Sequence, residues 1–317
     1  MSVEQIPITP SDRPTFGDRV FRGLCVGAAF VSLVVVGTTI VFMLKESRRA
    51  FEISGIWRFF TSDVWVGLTG PFGVKGLLIG TVIIATIAMV VAVPLAVAMA
   101  LFINEYAPKG IARALTTAID LLAALPSLIF GMWGREAFAG HLQPVARWLS
   151  THLVAIPVFQ LSDDNVVLVR SSFVAGVIVA FMIIPIITSI SRDVMARAPR
   201  EVCEAALGLG GTRWGMIKTV ILPFGRSGIM GAALLGLGRA LGETIAVALV
   251  IELVFKANWH VLESGAGSIA ALIVTRFGEA SADERSALVA AGLALMLLTF
   301  TVSLLARRIV TAKAVER

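Results

Sequence analysis

Charged residues are scarce in this chain. They make up 15% of its 317 residues, whereas hydrophobic residues make up 57%. A typical soluble domain carries about 25% charged residues. So small a polar fraction cannot cover the surface of a soluble protein, although the length alone would suggest about two soluble domains. The composition therefore argues against an ordinary soluble enzyme and favours a membrane protein.

Cysteine and histidine are also rare. The two cysteines, Cys25 and Cys203, lie far apart in the sequence, which is not the pattern of a disulfide framework. The three histidines, His141, His152 and His260, lie in segments predicted to be loops, and no H-E-x-x-H pattern accompanies them. We therefore expect no metal site and no cofactor, and we interpret both cysteines as inert thiols.

The chain has no phosphate-binding loop of the pattern G-x-x-x-x-G-K-[ST]. It is therefore expected to carry no catalytic site, and any ATP hydrolysis requires a separate subunit. Its formal net charge of +6 does not point to nucleic acid. The basic residues flank apolar segments, where they orient helices relative to a membrane.

Long apolar runs are what the chain does contain. A membrane-spanning helix needs about 20 predominantly apolar residues. The first run is too long for a signal-peptide core and has no cleavage site, so it is interpreted as a retained anchor. The sequence thus predicts an all-α integral membrane protein with six transmembrane helices, at roughly 22–44, 76–102, 113–133, 171–190, 228–254 and 286–306.

The segments between these runs predict the domain organisation. We expect a cytoplasmic tail over 1–21, a transmembrane domain over 22–310 with a cytoplasmic loop at 191–227, and a tail over 311–317. Lysines and arginines are more numerous in the segments on the same side of the membrane as the termini, so both termini are predicted to be cytoplasmic. The basic run at 45–49 opposes this prediction. The long segments 134–170 and 255–285 are then outside, and the apolar stretch 268–277 predicts a short interfacial or re-entrant helix.

Two opposite charges lie within the fifth run. Arg239 is predicted near the middle of that run, where an unpaired charge costs about 2.5–3.5 kcal/mol or more. Glu243 follows four residues later and would share its helix face. The pair is either a structural ion pair or an anion-handling site on a transport route, and an arginine fork suits phosphate oxygens. The surrounding small residues predict close helix packing, within the chain or at a dimer seam.

The cytoplasmic loop predicts two short helices. One covers about 199–207 and ends at a glycine cluster, as helices often do. The second, at 212–221, carries Trp214, Ile217 and Ile221 on one side, and Pro223 is expected to break the chain before the next span. A helix pair in an aqueous loop has nothing of its own to pack on, so it is expected to dock on another protein.

This loop resembles the "EAA" loop of bacterial ABC-importer permeases. The matching residues are Glu204-Ala205-Ala206, then Gly210, then Val220-Ile221-Leu222-Pro223 at the same spacing. The resemblance implies the type I ABC importer permease fold. It also implies that a short helix in this loop sits in a groove of an ATPase subunit. The coupling residues would then be Glu204, Ala205, Ala206, Gly210 and Pro223.

Further sequence segments resemble those of phosphate permeases of the PstC type. They are Arg226-Ser227-Gly228 with the stretch 236–244, the stretch 104–108, and the stretch 120–134, in which Asp120 replaces an expected glutamate. The resemblance covers about 70–310 and implies a place for Arg239 and Glu243 on the path of phosphate. It implies a bacterial inner-membrane heterodimer with a PstA-type permease, a dimeric PstB-type ATPase and a PstS-type soluble phosphate-binding protein.

Other functions are compatible with parts of the pattern. A permease for another oxyanion, such as molybdate, sulfate or phosphonate, would share the coupling loop. Two other possibilities are a channel or carrier that needs no ATPase, and a membrane scaffold or sensor. The coupling loop would have no function in such a protein. The phosphate importer is therefore the function that the sequence favours.

Overall fold

The computed structural model describes residues 16–163 and 167–315, and within them the chain is almost entirely helical. In those ranges no strand forms, and only isolated β-bridges join extended segments. The α-helices are α1 Phe16–Glu46, α2 Arg48–Ser54, α3 Ile56–Thr61, α4 Lys75–Leu101, α5 Lys109–Ala123, α6 Ser127–Trp133, α7 Ala139–His152, α8 Ser172–Met195, α9 Arg200–Gly208, α10 Arg213–Met216, α11 Leu222–Leu241, α12 Ile245–Val250, α13 Ile269–Arg276 and α14 Ala282–Val315.

Helices long and apolar enough to cross a membrane account for most of the chain. Five such helices occur among the described residues, and a bent pair of helices makes a sixth candidate. Their positions follow the six predicted runs, which confirms the all-α membrane fold. The predicted tail 1–21 lies mainly outside the described residues, and α14 continues to Val315, past the predicted end of the transmembrane domain.

The third predicted span is not one straight helix. The chain turns by 95° between 109–123 and 127–152, so the candidate span predicted over 113–133 is broken within its length. Pro126 explains the break, because proline lacks an N–H donor and disfavours a helical conformation in the residue before it. Two other prolines, Pro94 and Pro185, remain inside the continuous helices α4 and α8.

The fifth predicted span is displaced toward the N-terminus. A continuous helical run extends from Arg213 to Leu241, and the chain then leaves the helix before α12. The prediction of one span over 228–254 is therefore wrong at both ends. Pro223 does not break the chain either, because it lies in the first turn of α11, where a missing N–H costs little.

A π-helical turn, Ile217–Ile221, immediately precedes Pro223 and joins α10 to α11. The N–H of Leu222 bonds to the carbonyl of Ile217 in this turn. A π-turn adjusts the backbone beside a proline without interrupting the helix. The amphipathic segment predicted at 212–221 is thus the start of the fifth span.

Helix α8 forms the core of the unit 47–317. Nearly three quarters of its most apolar stretch, 72%, is buried, as expected for a helix that is apolar on every side. It packs against α4, α5 and α11. Small residues make the α8–α11 contact close, because a Cβ on Gly228 would overlap Val194, and one on Gly236 would lie 2.6 Å from the Cδ1 atom of Ile187. The side of α11 that carries Ala232 and Gly236 therefore packs within the chain, whereas a Cβ on Gly238 would meet nothing within 4 Å.

The N-terminal half of α4 packs directly on backbone from the segment before α13. A Cβ on Gly76 would overlap the carbonyl of Phe255, and one on Gly80 would overlap that of Gly267. Beside them, the N–H of Ile269 donates to the hydroxyl of Thr81 at 3.2 Å. These glycines hold the segment between α12 and α13 against the membrane bundle.

We expect Gly80→Ala to destabilise the protein by about 1–3 kcal/mol, the usual cost of overpacking. The neighbouring atoms are backbone and cannot move aside. The measurement is thermal unfolding of the purified chain in detergent, followed by circular dichroism, together with its abundance in the membrane. The control is Gly140→Ala in α7, where a Cβ meets nothing within 4 Å and alanine favours the helix. Equal thermal stability of the two variants would contradict this packing.

A second apolar cluster joins the segment after α1 to the last two helices. Phe59 and Phe72 pack there with Leu272 of α13 and Leu288 of α14. The N–H of Ala50 donates to the Ser286 hydroxyl at 3.0 Å, which ties α2 to α14. The predicted short helix at 268–277 is confirmed as α13.

Helix α1 belongs to a separate compact unit that ends at Glu46. None of its residues is buried. Its polar side chains are satisfied within the helix, since Ser32 and Thr39 donate to the carbonyls of Ala28 and Val35 at 3.1 and 2.9 Å. A wholly exposed apolar helix of this length is suited to lipid or to another membrane chain.

Candidate translocation site and coupling loop

The break after α11 determines where Arg239 lies. Gly242 ends the helix, and its N–H donates to the carbonyl of Gly238 at 3.2 Å. Arg239 is therefore in the last turn of α11, and the prediction that it lies in the middle of a continuous helix is wrong. The carbonyls at a helix C-terminus favour a positive charge. The helix end thus offsets part of the cost of a charge in this apolar segment.

The Arg239 side chain is exposed on a face that the described part of the chain leaves uncovered. Leu235 and Gly238 share this face, and both are exposed. Arg239 makes no hydrogen bond or ion pair with any described residue. Its guanidinium donors are therefore available to a ligand or a second subunit.

Glu243 has a different partner from the one that the sequence predicts. It lies in the break beyond α11, is only 7% exposed, and accepts a hydrogen bond at 3.1 Å from the N–H of Ala246. A carboxylate at this position caps the first turn of α12 and is favoured by the positive end of that helix. The four-residue spacing from Arg239 predicted a shared helix face, but that inference fails because the helix ends between them.

Helix α12 is seated on α6. A Cβ on Gly131 would lie 2.8 Å from the Cα atom of Ala246, so glycine is required for this approach. Glu243 thus caps a helix whose position is set by α6. The sequence signal that could have revealed the cap is Gly242-Glu243-Thr244 before an apolar run, since a glycine ends one helix and an acidic residue starts the next.

Asp120, which replaces the expected glutamate, lies on α5. Its Oδ1 atom accepts a hydrogen bond from the Ser189 hydroxyl of α8 at 3.3 Å. The shorter side chain therefore links the helix before the 95° turn to the core helix.

The loop 191–227 folds as its glycines predict. Helix α9 ends in a Schellman motif: the N–H of Gly211 donates to the carbonyl of Ala206 at 3.2 Å, and that of Gly210 donates to the carbonyl of Leu207 at 3.0 Å. Gly210 has a φ of +84°, a conformation that other residues adopt with strain. Gly210 therefore sets the direction in which the chain leaves α9.

Helix α9 has one packed face and one free face. Cys203 and Ala206 pack on the apolar cluster formed by Met195, Ile217 and Ile221. Burial raises the pKa of the Cys203 thiol, and the carboxylates of Glu105 and Glu204 raise it further. Cys203 is therefore protonated at neutral pH, which fits a packing role.

Glu204 and Ala205 lie on the opposite, exposed face of α9. Two large apolar residues of the loop are exposed as well, Leu209 at 90% and Trp214 at 58%. The prediction that Trp214 shares one side with Ile217 and Ile221 is wrong, because those two isoleucines are buried. The loop therefore presents a mixed acidic and apolar surface.

Contacts from Arg213 and Asn104 bind the loop to the C-terminal end of the second span. Arg213 donates to the carbonyl of Glu105 at 3.0 Å, and its guanidinium carbon lies 5.7 Å from the centre of the Tyr106 ring. Asn104 donates to the carbonyl of Arg192 at 2.9 Å. Sequence reasoning missed both roles, since these contacts join segments that are distant in the chain. The stretch 104–108 pointed only to a family resemblance.

Comparisons with known proteins agree with this architecture. The family described as "binding-protein-dependent transport system inner membrane component" matches residues 92–314. The "phosphate transport system permease protein PstC 2" of Mycobacterium bovis is 36% identical, covering 94% of this chain and 93% of the relative. The "phosphate transport system permease protein PstC" of Haemophilus influenzae is 37% identical, covering 92% and 96%.

Solved structures are similar to the chain as well. One is described as the bacterial alginate ABC transporter in complex with an alginate pentasaccharide-bound periplasmic protein, with a TM-score of 0.60 and 17% identity over 93% of this chain and 98% of that one. Another structure of a bacterial alginate importer has a TM-score of 0.58 and 17% identity, covering 93% and 99%. At this identity the likeness concerns the fold alone.

Proposed function

The chain belongs to the family of inner membrane components of binding-protein-dependent transport systems, and from this premise we propose that it is a PstC-type permease subunit of an ATP-driven importer of inorganic phosphate. The observation that carries the choice of phosphate is the identity with permeases named for phosphate transport over nearly the whole chain. The chain itself performs no chemistry. It provides part of a path and a surface through which an ATPase acts.

Arg239 is the residue that meets phosphate in this proposal. Its guanidinium carries a positive charge and offers a planar fork to two oxygens of an oxyanion. On this open face of α11, Arg239 makes no hydrogen bond or ion pair with the residues that the structure describes. Glu243 holds the start of α12 and keeps the break in place, and its carboxylate deters anions from the buried side of the break.

The exposed face of α9 is the docking surface for the ATPase. Glu204 and Ala205 face outward, and Leu209 and Trp214 add apolar area of the kind that protein interfaces bury. Movement of α9 reaches the membrane helices along two routes. One is the continuous run into α11, and the other is the Arg213 contact with the end of α4.

The remaining partners follow from this arrangement. A second permease subunit of the PstA type covers the open face of α11, and a PstS-type binding protein delivers phosphate to the outer segments. A dimeric PstB-type ATPase lies on the cytoplasmic side, with both termini of this chain. The complex resides in a bacterial inner membrane.

Uptake of labelled phosphate by cells that carry the complete system tests this function. We expect uptake that stops when the ATPase gene is deleted and that excess unlabelled phosphate suppresses, while equal molybdate, sulfate or phosphonate does not. Suppression by one of those anions instead would assign the permease to that anion. Uptake that persists without the ATPase would contradict an ATP-driven importer.

A further inference from the structure

A cavity of about 240 Å³ lies at the far end of α12 from Glu243. Two arginines line it, and neither takes part in the proposed function. Its lining residues are Arg135, Glu136, Ala139, Val169, Arg170 and Val250. Since α12 has six residues, its two ends are about 9 Å apart at 1.5 Å per residue. The cavity and the break beside Arg239 are therefore at opposite ends of one short helix.

Two separate elements bring the arginines together. Arg135 belongs to a π-helical turn, Gly134–Phe138, that lies tightly on α8, because a Cβ on Gly134 would be 2.5 Å from the Cδ1 atom of Ile178. Single π-turns within helices are frequent at functional sites. Arg170 lies just before α8, and its Nη2 atom donates to the carbonyl of Ile251 at 3.4 Å. That bond ties Arg170 to the end of α12.

The charges of the cavity favour an anion. Its charged lining groups are two guanidinium groups and one carboxylate, and the Nε atom of Arg135 lies 3.3 Å from Glu136 Oε1. Each guanidinium has five N–H donors, so these contacts leave most of them for a ligand. The volume is sufficient for a tetrahedral oxyanion with part of its hydration. Ala139, Val169 and Val250 complete the lining.

We propose that this cavity is a second anion site, which takes inorganic phosphate at the outer mouth of the path before it reaches Arg239. The proposal rests on the proposed function, since it uses the same substrate and the same membrane orientation. Glu136 forms an ion pair with Arg135 while the cavity is empty, and phosphate replaces Glu136 as the partner of Arg135 when it binds. The anion then passes from one arginine site to the next along α12.

The experiment uses proteoliposomes that contain the complete importer, supplied with phosphate-loaded binding protein. The variants are Arg135→Gln with Arg170→Gln, the corresponding double lysine variant, and the control Arg147→Gln on α7, an exposed arginine outside the cavity. Two rates are measured: uptake of labelled inorganic phosphate, and ATP hydrolysis stimulated by the loaded binding protein. If the double glutamine variant does not accumulate, Arg170→Gln alone is measured in the same way.

We expect the double glutamine variant to lower phosphate uptake about ten-fold, the scale of one lost charged hydrogen bond, while stimulated ATP hydrolysis remains near that of the control. The lysine variant should recover part of the uptake. Uptake equal to that of Arg147→Gln would overturn the proposal. So would a parallel loss of both rates that more binding protein restores, since the arginines would then be a docking contact. A wild type that imports no phosphate would instead refute the proposed function.

Discussion

Glu204→Lys is expected to abolish ATP-driven phosphate uptake while the chain still inserts into the membrane. Glu204 lies on the exposed face of α9 and makes no contact that holds the fold together. Reversal of a charge that is buried against a partner costs about 2–5 kcal/mol or more. We therefore expect uptake to fall at least about 30-fold. The measurement is labelled-phosphate uptake at matched membrane abundance, with the ratio of copurified ATPase to permease.

The matched control for this variant is Glu279→Lys, a charge reversal at an exposed position remote from the coupling loop. It should leave uptake unchanged. Glu204→Gln removes the charge without reversing it and should reduce uptake less than the lysine does. Normal uptake by the Glu204→Lys variant would refute the assignment of α9 as the coupling helix.

Arg239→Gln is expected to remove most phosphate uptake from an intact complex. The side chain faces away from the chain's own packing, so the substitution leaves the fold undisturbed, but it removes the fork that phosphate binds. A charged hydrogen bond contributes about 1.5–3 kcal/mol, which corresponds to a loss of about ten-fold to more than a hundred-fold. Uptake and stimulated ATP hydrolysis are measured together, since a path defect lowers uptake more than hydrolysis.

Two companion variants interpret that result. Arg276→Gln in α13 also removes an exposed arginine from the last turn of a helix, and it should leave uptake unchanged. Glu243→Gln keeps an oxygen that accepts from the Ala246 N–H, so it tests the negative charge apart from the cap. If the Arg239→Gln variant transports as well as the Arg276→Gln variant, Arg239 is not on the path and the choice of substrate reopens.

The sequence predicted the local structure of the loop 191–227 well because its signals are local. A helix end at a glycine cluster depends on residues that are adjacent in the chain, and Gly210 does adopt the conformation that such an end requires. The burial of Ile217 and Ile221 was also consistent with one amphipathic side. The prediction that Trp214 lies on the same side as these isoleucines failed. An apolar side chain on a surface where another protein could dock has the same sequence signature as one that faces the core.

The errors in the membrane region have one cause. Hydropathy measures how apolar a run is and contains no term for where a helix stops inside it. The runs 113–133 and 228–254 are predominantly apolar, yet helices end within them near Pro126 and at Gly242. A prediction that overlooks the break at Gly242 assigns Arg239 and Glu243 to one helix face. In the structure Arg239 lies in the last turn of α11, and Glu243 caps the start of α12.

The sequence by itself determined that this protein crosses a membrane as a helical bundle, because the composition and the long apolar runs suffice for that conclusion. Only the tertiary structure decided which groups meet. In the tertiary structure Glu243 caps α12, Arg239 lies on an open face of α11, and Arg135 and Arg170 line one cavity. The physical reason is that these outcomes depend on how α6, α8 and α12 pack. Such packing is set by small residues and by backbone contacts between distant segments, and a local pattern such as Gly242-Glu243-Thr244 indicates a helix cap but not the elements that meet around it.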